Sequence, residues 1–206
     1  MNKNILFLAL VLLLCACSQR DIEIASPDGK LLFSFSTGDS GEIYYKVSQL
    51  SSHIIEKSPL GLIRADGDFS KNLVVKSVSG LRLIKDNYTL KIGKKMMNES
   101  VCNEQIITLE NPSKQQMQLI VRMYNDGTAF RYVFPDTSES QYTILHECTG
   151  FNLPDEGKAW LQPYDTIAYW APAYEQFFMN GISIGTTAPE GRNGWCFPML
   201  FNTNQK

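Results

Sequence analysis

The chain has 206 residues, 19 Lys and Arg against 21 Asp and Glu, and a formal net charge of −2. It is 44% hydrophobic and 19% charged, ordinary values for a globular protein that exclude a disordered tail or a polyelectrolyte. The cations are scattered, and only Lys94-Lys95 are adjacent, so no basic stripe points to nucleic acid.

The first residues read as a targeting signal. Asn2-Lys3-Asn4 is a basic start and Ile5 to Leu14 an unbroken apolar run. The run is too short to span a bilayer and fits a signal-peptide core. Leu14-Cys15-Ala16-Cys17 follows and looks like a bacterial lipobox, with Cys15 a less usual occupant. On that reading residues 1–16 are removed, Cys17 is lipidated, and residues 17–206 form one domain held at a membrane of the cell envelope. The alternative is an ordinary signal peptide with incidental cysteines.

Strand signals follow one another. Ser26-Pro27-Asp28-Gly29 has turn chemistry, Pro presetting φ and Gly accepting positive φ. Leu31, Phe33 and Phe35 alternate with Leu32, Ser34 and Ser36, and Ile43, Tyr45 and Val47 alternate with Tyr44 and Lys46. Tyr88, Leu90 and Ile92 alternate with Thr89 and Lys91. Period two predicts half-buried strands over all three stretches. Met117, Leu119, Val121 and Met123 share one face of a strand that turns at Asn125-Asp126-Gly127, with a left-handed glycine, and returns over Thr128 to Phe134. Residues 51–70 and 136–141 read as loops. Asp66-Gly67-Asp68 is half of a calcium loop at best. It lacks further oxygen ligands, which favours a solvated turn. Asn87-Tyr88-Thr89 and Asn98-Glu99-Ser100 match glycosylation sequons, an accidental match in a bacterial lipoprotein. No window holds a helical period, and the expected class is all-β, a large antiparallel sandwich.

Beyond Cys17, the cysteines Cys102, Cys148 and Cys196 are odd in number and contain no CxxC. Buried thiols are expected, not a disulfide framework or a zinc site. His53 and His146 belong to no metal spacing. In His146-Glu147-Cys148 adjacent side chains alternate faces of a strand, which favours structural roles. The stretch Trp160 to Phe201 carries nine Trp, Tyr and Phe residues before Phe201 itself, among Pro163, Pro172, Pro189 and Pro198. The prolines forbid one continuous helix or strand. Composition favours these aromatics plugging one end of the sandwich. The other reading is a sugar-binding surface of flat faces beside a few polar groups.

Several separated pieces then line up: Ser26-Pro27-Asp28-Gly29-Lys30, Ser58-Pro59-Leu60-Gly61-Leu62, the Arg122 to Tyr132 hairpin, Glu147 to Phe151, Trp160, Tyr174-Glu175, and Trp195 to Phe201. In this order, behind a lipobox, they resemble the amino-terminal domain of glycoside hydrolase family 97. The resemblance implies a super-sandwich packed on a catalytic (β/α)₈ barrel in an exo-acting α-glycosidase, chiefly an α-glucosidase or α-galactosidase of Bacteroides-type bacteria. It implies an active-site calcium with one carboxylate from this domain, matched here by Glu175, and an α-linked oligosaccharide that meets Trp170 and Tyr174. Gln162 to Asp165, Asn180-Gly181, Gly185-Thr186 and Trp195 to Pro198 look closer to the α-galactosidase-like, retaining branch.

The chain departs from the family pattern at Lys206, before the last sandwich strands and the barrel. A fragment inactive on its own is therefore expected, with exposed edges and marginal stability. The competing readings are a stand-alone carbohydrate-binding lipoprotein and a structural envelope lipoprotein.

Overall fold

The computed structural model describes residues 21–136, 141–165, 169 and 176–203. Cys17, Trp170, Tyr174 and Glu175 lie outside them. Among the described residues there is no helix; the strands are β1 (Ile22–Ala25), β2 (Leu31–Thr37), β3 (Ile43–Gln49), β4 (Ser52–Pro59), β5 (Leu62–Arg64), β6 (Gly67–Asp68), β7 (Val74–Val78), β8 (Arg82–Thr89), β9 (Met97–Glu110), β10 (Gln116–Tyr124), β11 (Gly127–Val133), β12 (Ile144–Glu147), β13 (Gly157–Leu161), β14 (Met179–Ser183) and β15 (Leu200–Thr203). All their pairings are antiparallel.

Two large sheets form the sandwich. One runs β1-β2-β3-β4; the other runs β11-β10-β9-β7, with β8 also on β9. Alternation decides which face is wet. Phe33, Phe35, Ile43, Tyr45 and Val47 from the first sheet meet Ile107, Leu109, Met117, Leu119, Val121 and Met123 from the second in one buried cluster. Phe33 stacks on Tyr45 at 5.4 Å between ring centres, and Phe130 packs obliquely on both. Each such side chain contributes about 1.5–3 kcal/mol by leaving water.

The turn after β1 forms as its residues require. Gly29 has φ +72°, and its N–H donates to the Ser26 carbonyl at 2.9 Å. Asp28 Oδ1 accepts from Ser26 Oγ and from the Lys30 N–H. Asn125 Oδ1 accepts from the Asp28 N–H at 3.0 Å, tying this turn to the β10–β11 hairpin.

Four expectations are corrected. The half-buried strand expected around Tyr88, Leu90 and Ile92 ends at Thr89, and these three side chains are exposed because no second sheet faces that part of β8. The loop expected over 51–70 holds β4, β5 and β6. The β3–β4 register shifts twice, and the resulting bulges hide the period in the sequence. In the β10–β11 hairpin Gly127 opens the return strand opposite Tyr124 and does not take a left-handed conformation; Asn125-Asp126 alone make the turn. Cys102 and Cys196 are buried thiols as expected, but Cys148 is only half-buried.

Three carboxylates titrate below their ordinary range. Asp28 is held down chiefly by the Ser26 hydroxyl, Asp66 by the Arg64 guanidinium, and Glu110 by the Lys114 ammonium. A depressed carboxylate stabilises the fold fully above its unfolded value, near 3.8 for Asp and 4.5 for Glu, and loses that contribution as pH falls through the lower folded value. Stability is therefore expected to be flat from neutrality down to about pH 5 and to fall below pH 4. Denaturant titrations followed by Trp160 and Trp195 fluorescence check this; a steep loss already between pH 7 and 5 contradicts it.

Candidate functional site

The sheet β14-β13-β15 carries the aromatic-rich stretch. It fits together closely at Gly157, whose φ is +146° and where a Cβ would lie 2.4 Å from the Asn202 carbonyl oxygen. Past β13 the chain is held by hydrogen bonds and not by a ladder. Pro163 bridges Trp195, the Tyr164 N–H donates to the Gly194 carbonyl at 2.7 Å, and the Cys196 N–H donates to the Gln162 carbonyl at 2.9 Å. The Trp195 indole N–H donates to the Thr186 carbonyl at 3.0 Å. The Phe197-Pro198 peptide is cis.

Asp165 anchors this region. One carboxylate oxygen accepts from Arg192 Nη1 and the other from Gln176 Nε2 at 3.2 Å. The chain on either side of positions 166–175 is thereby joined. Trp170, Tyr174 and Glu175 fall within those positions and are not described. Sequence reading missed the Asp165–Arg192–Gln176 clamp, because residues 27 apart give no spacing signal.

Aromatics here are largely on the surface. Tyr169 and Phe177 are 91% and 95% exposed, and Phe178 and Phe197 are also exposed. This corrects the expectation of an aromatic plug for those four; Trp160 and Trp195 are half-buried. Phe197 meets Phe151 edge-on at 6.0 Å. The two rings line an apolar groove of about 620 Å³ with Ile54, Ile55, Met199 and Phe201. A neighbouring cleft of about 440 Å³ shares Phe151, Met199 and Phe201 and adds Trp195, Thr186 and Asp155. Such surfaces stack on apolar faces and hold a few polar groups in place; among the described residues no three His, Cys, Asp or Glu side chains converge to hold a metal.

Glu147 to Phe151 is bound to the end of the first sheet. The Cys148 N–H donates to the Gly61 carbonyl and the Gly150 N–H to the Pro59 carbonyl. Tyr45 Oη donates to the Gly150 carbonyl at 3.0 Å, while Tyr132 Oη accepts from the Gly61 N–H and bonds Thr149 Oγ1 at 2.7 Å. Burial pushes both tyrosine hydroxyls to titrate higher. Next to this segment, His146 and Glu147 are exposed on β12.

Asp66 lies in the tight turn after β5, and Gly67-Asp68 form β6. Asp66 takes a two-point contact from Arg64 at 2.7 and 2.5 Å, and Asp68 caps Ser70. Both carboxylates are engaged by protein groups, as a turn requires. Arg64 is buried against the Tyr142, Phe134 and Phe69 rings, at 3.7, 4.4 and 5.3 Å. Its hydrogen bond to Asp66 raises its pKa further.

A two-sheet antiparallel sandwich with an exposed aromatic end defines the class as an all-β sandwich domain. The Glycosyl-hydrolase 97 N-terminal family model matches residues 24–206, and the chain belongs to that family. A probable retaining alpha-galactosidase of Streptomyces bingchenggensis (strain BCW-1) is 29% identical over 140 residues, 68% of this chain and 21% of that protein. The crystal structure of a beta-arabinopyranosidase superposes with a TM-score of 0.80 at 30% identity, over 88% of this chain and 30% of that one. A family 97 enzyme in complex with panose, from Pseudoalteromonas sp. strain K8, superposes with a TM-score of 0.62 at 22% identity, over 69% of this chain and 22% of that one. The chain thus spans under a third of the length of the relatives it matches.

Proposed function

We propose that this chain is the amino-terminal β-sandwich of an exo-acting α-glycosidase whose catalytic barrel lies in further sequence. The observation that carries the proposal is a family match over residues 24–206 in a chain that covers only 21–30% of its two relatives near 30% identity. The reading leans toward α-galactosides. One relative is named a retaining α-galactosidase and another a β-arabinopyranosidase. A β-arabinopyranoside of the L series has the ring-hydroxyl arrangement of an α-galactoside without the hydroxymethyl group, so one pocket geometry serves both.

In this proposal Glu175 holds calcium together with barrel ligands, and Trp170 and Tyr174 meet the terminal sugar. Calcium takes several oxygen donors, and one carboxylate, that of Glu175 next in sequence to Gln176, suits a shared site better than a self-sufficient one. Bound calcium would supply a positive charge to the site; the residues of this chain would fix its position. Cys17 anchors the protein in the cell envelope.

The test is turnover of nitrophenyl α-galactoside and β-L-arabinopyranoside by the native product extended past Lys206 and by the 206-residue chain. Turnover is expected from the longer product alone, and Glu175→Gln should lower its calcium affinity at least tenfold. Hydrolysis by the 206-residue chain, or a Glu175→Gln product with unchanged calcium dependence, overturns the reading. The exposed Tyr169 and Phe177 favour a second reading, a stand-alone carbohydrate-binding lipoprotein. It requires saturable galactoside binding by the 206-residue chain in the absence of any turnover.

A further inference from the structure

The β8–β9 hairpin runs five residue pairs, Lys85–Val101 to Thr89–Met97, past the point where β10 stops pairing with β9 at Cys102. At ~3.4 Å per residue the arm runs about 17 Å beyond that point before its turn, and Asp86 near its base still reaches Arg122 of β10 at 3.8 Å. Two-stranded hairpins are marginal alone in water. This one is also apolar on both faces. Leu83, Val101 and Met97 are exposed on one, and Tyr88, Leu90 and Met96 on the other. Ile92 at the tip is 89% exposed. The turn is nonetheless built, with the Leu90 N–H donating to the Met96 carbonyl at 2.8 Å and the Asn98 amide to the Lys95 and Met96 carbonyls.

The charge on the arm is uneven along its length, with three lysines at the tip and Lys85 beside Asp86 at the base. Lys91, Lys94 and Lys95 sit at the turn with no acidic residue between Asp86 and Glu99. All three are exposed, and none has an ion-pair partner among the described residues. From the tip inward the order is Ile92 and Met96 among the lysines, then Tyr88, then Asn87, Asp86 and Glu99. A protein interface depletes lysine at its centre. A bilayer surface favours this same sequence: apolar side chains below the headgroups, lysines at anionic headgroups, and tyrosine at the boundary. We infer that the β8–β9 arm docks on an anionic lipid surface, with Ile92 inserted and Lys91, Lys94 and Lys95 on the headgroups. The arm would then hold the domain against the membrane at a second point, independent of acylation at Cys17.

The experiment is vesicle flotation with the unacylated chain beginning at Ser18, which keeps every described residue. Phosphatidylcholine vesicles with and without phosphatidylglycerol are compared. Binding should need phosphatidylglycerol and weaken with salt. Lys91→Gln/Lys94→Gln/Lys95→Gln should lower it on the order of a hundredfold, since each lysine near an anionic surface is worth roughly a factor of five. Ile92→Asp should abolish it, with an unchanged melting profile because the tip touches nothing in the core. Equal binding to neutral vesicles, or by the variants, overturns the proposal. So does a dimer that Ile92→Asp dissociates in the absence of vesicle binding, which would assign the arm to a second copy. A longer native product indifferent to anionic vesicles would place the arm against later residues of its own chain and overturn it too. Because no acyl chain is present, failure here leaves the Cys17 anchor untouched.

Discussion

Gly61→Ala is expected to destabilise the chain by about 3–5 kcal/mol, enough to leave most of a marginal domain unfolded. Gly61 joins β4 in the first large sheet to β5 in a smaller sheet ordered β12-β5-β6. Its φ is +117°, a conformation L side chains rarely adopt, at a cost of ~1–3 kcal/mol. A Cβ would also lie 2.5 Å from the Phe69 carbonyl oxygen and 2.8 Å from the Ser70 Cα. Both are backbone atoms, so relief requires moving the chain, for a further ~1–3 kcal/mol. The Gly61 N–H and carbonyl hold Tyr132 and Cys148, so a shift would loosen the segment that leads to Phe151 and the apolar groove. Gly80→Ala is the control: its Cβ meets nothing within 4 Å and its φ is not positive, so the change should stay within about 0.5 kcal/mol. Urea titration of the three proteins decides it; a Gly61→Ala midpoint equal to that of Gly80→Ala would contradict the argument.

The same glycine shows where the sequence was legible and where it was not. Strands β2, β3 and β10 could be read directly because each buries one face against the opposite sheet, and burial is what period two reports. Strand β4 could not be read, since its pairing slips twice against β3 and most of its side chains are half-buried or exposed. β8 misled in the opposite sense: Tyr88, Leu90 and Ile92 have a core-like pattern but face no core. Pattern records which side chains differ from their neighbours and not what covers them. Of the candidate site, the aromatic stretch was visible as composition. The bonds that shape it, Asp165 with Arg192 and Gln176 and the Trp195 indole on Thr186, link positions with no regular spacing. The positions of Trp170, Tyr174 and Glu175 rest on family resemblance alone.

That aromatic end also separates two kinds of exposed apolar surface. Around Phe151, Phe197 and Phe201 the groove is continuous with the sheet that ends at Thr203, and it carries few charges. On the β8–β9 arm the apolar residues alternate with lysines, far along a strand pair from any other sheet. A charged bilayer suits the second kind of surface and not the first.

Replacing Arg122 by Ala should cost about 3 kcal/mol, although a third of the side chain is exposed. Glu104 is the reason. It sits mid-strand on β9 with side-chain exposure of only 8%, directly opposite Arg82 on β8 and Arg122 on β10. Arg122 Nε donates to Glu104 Oε2 at 2.7 Å, while Arg82 reaches Oε1 only at 3.8 Å. The hydrogen bond that Arg122 donates to Glu104 raises its already high pKa, so the guanidinium stays charged at every pH at which the fold persists. Stripping one partner from a buried pair typically costs 3–5 kcal/mol, because the remaining charge keeps its desolvation penalty. The lower end applies here, since Arg82 remains and water reaches Arg122 from one side. The same logic predicts a rescue. Arg122→Met with Glu104→Leu removes both charges and keeps apolar bulk, and should recover most of the loss, giving a coupling of about 1.5–3 kcal/mol in a double-mutant cycle. Strict additivity of the two single changes would show that the pair contributes nothing as a pair. The β10–β11 hairpin would then owe its place on β9 to the ladder and to the buried Met117, Leu119, Val121 and Met123.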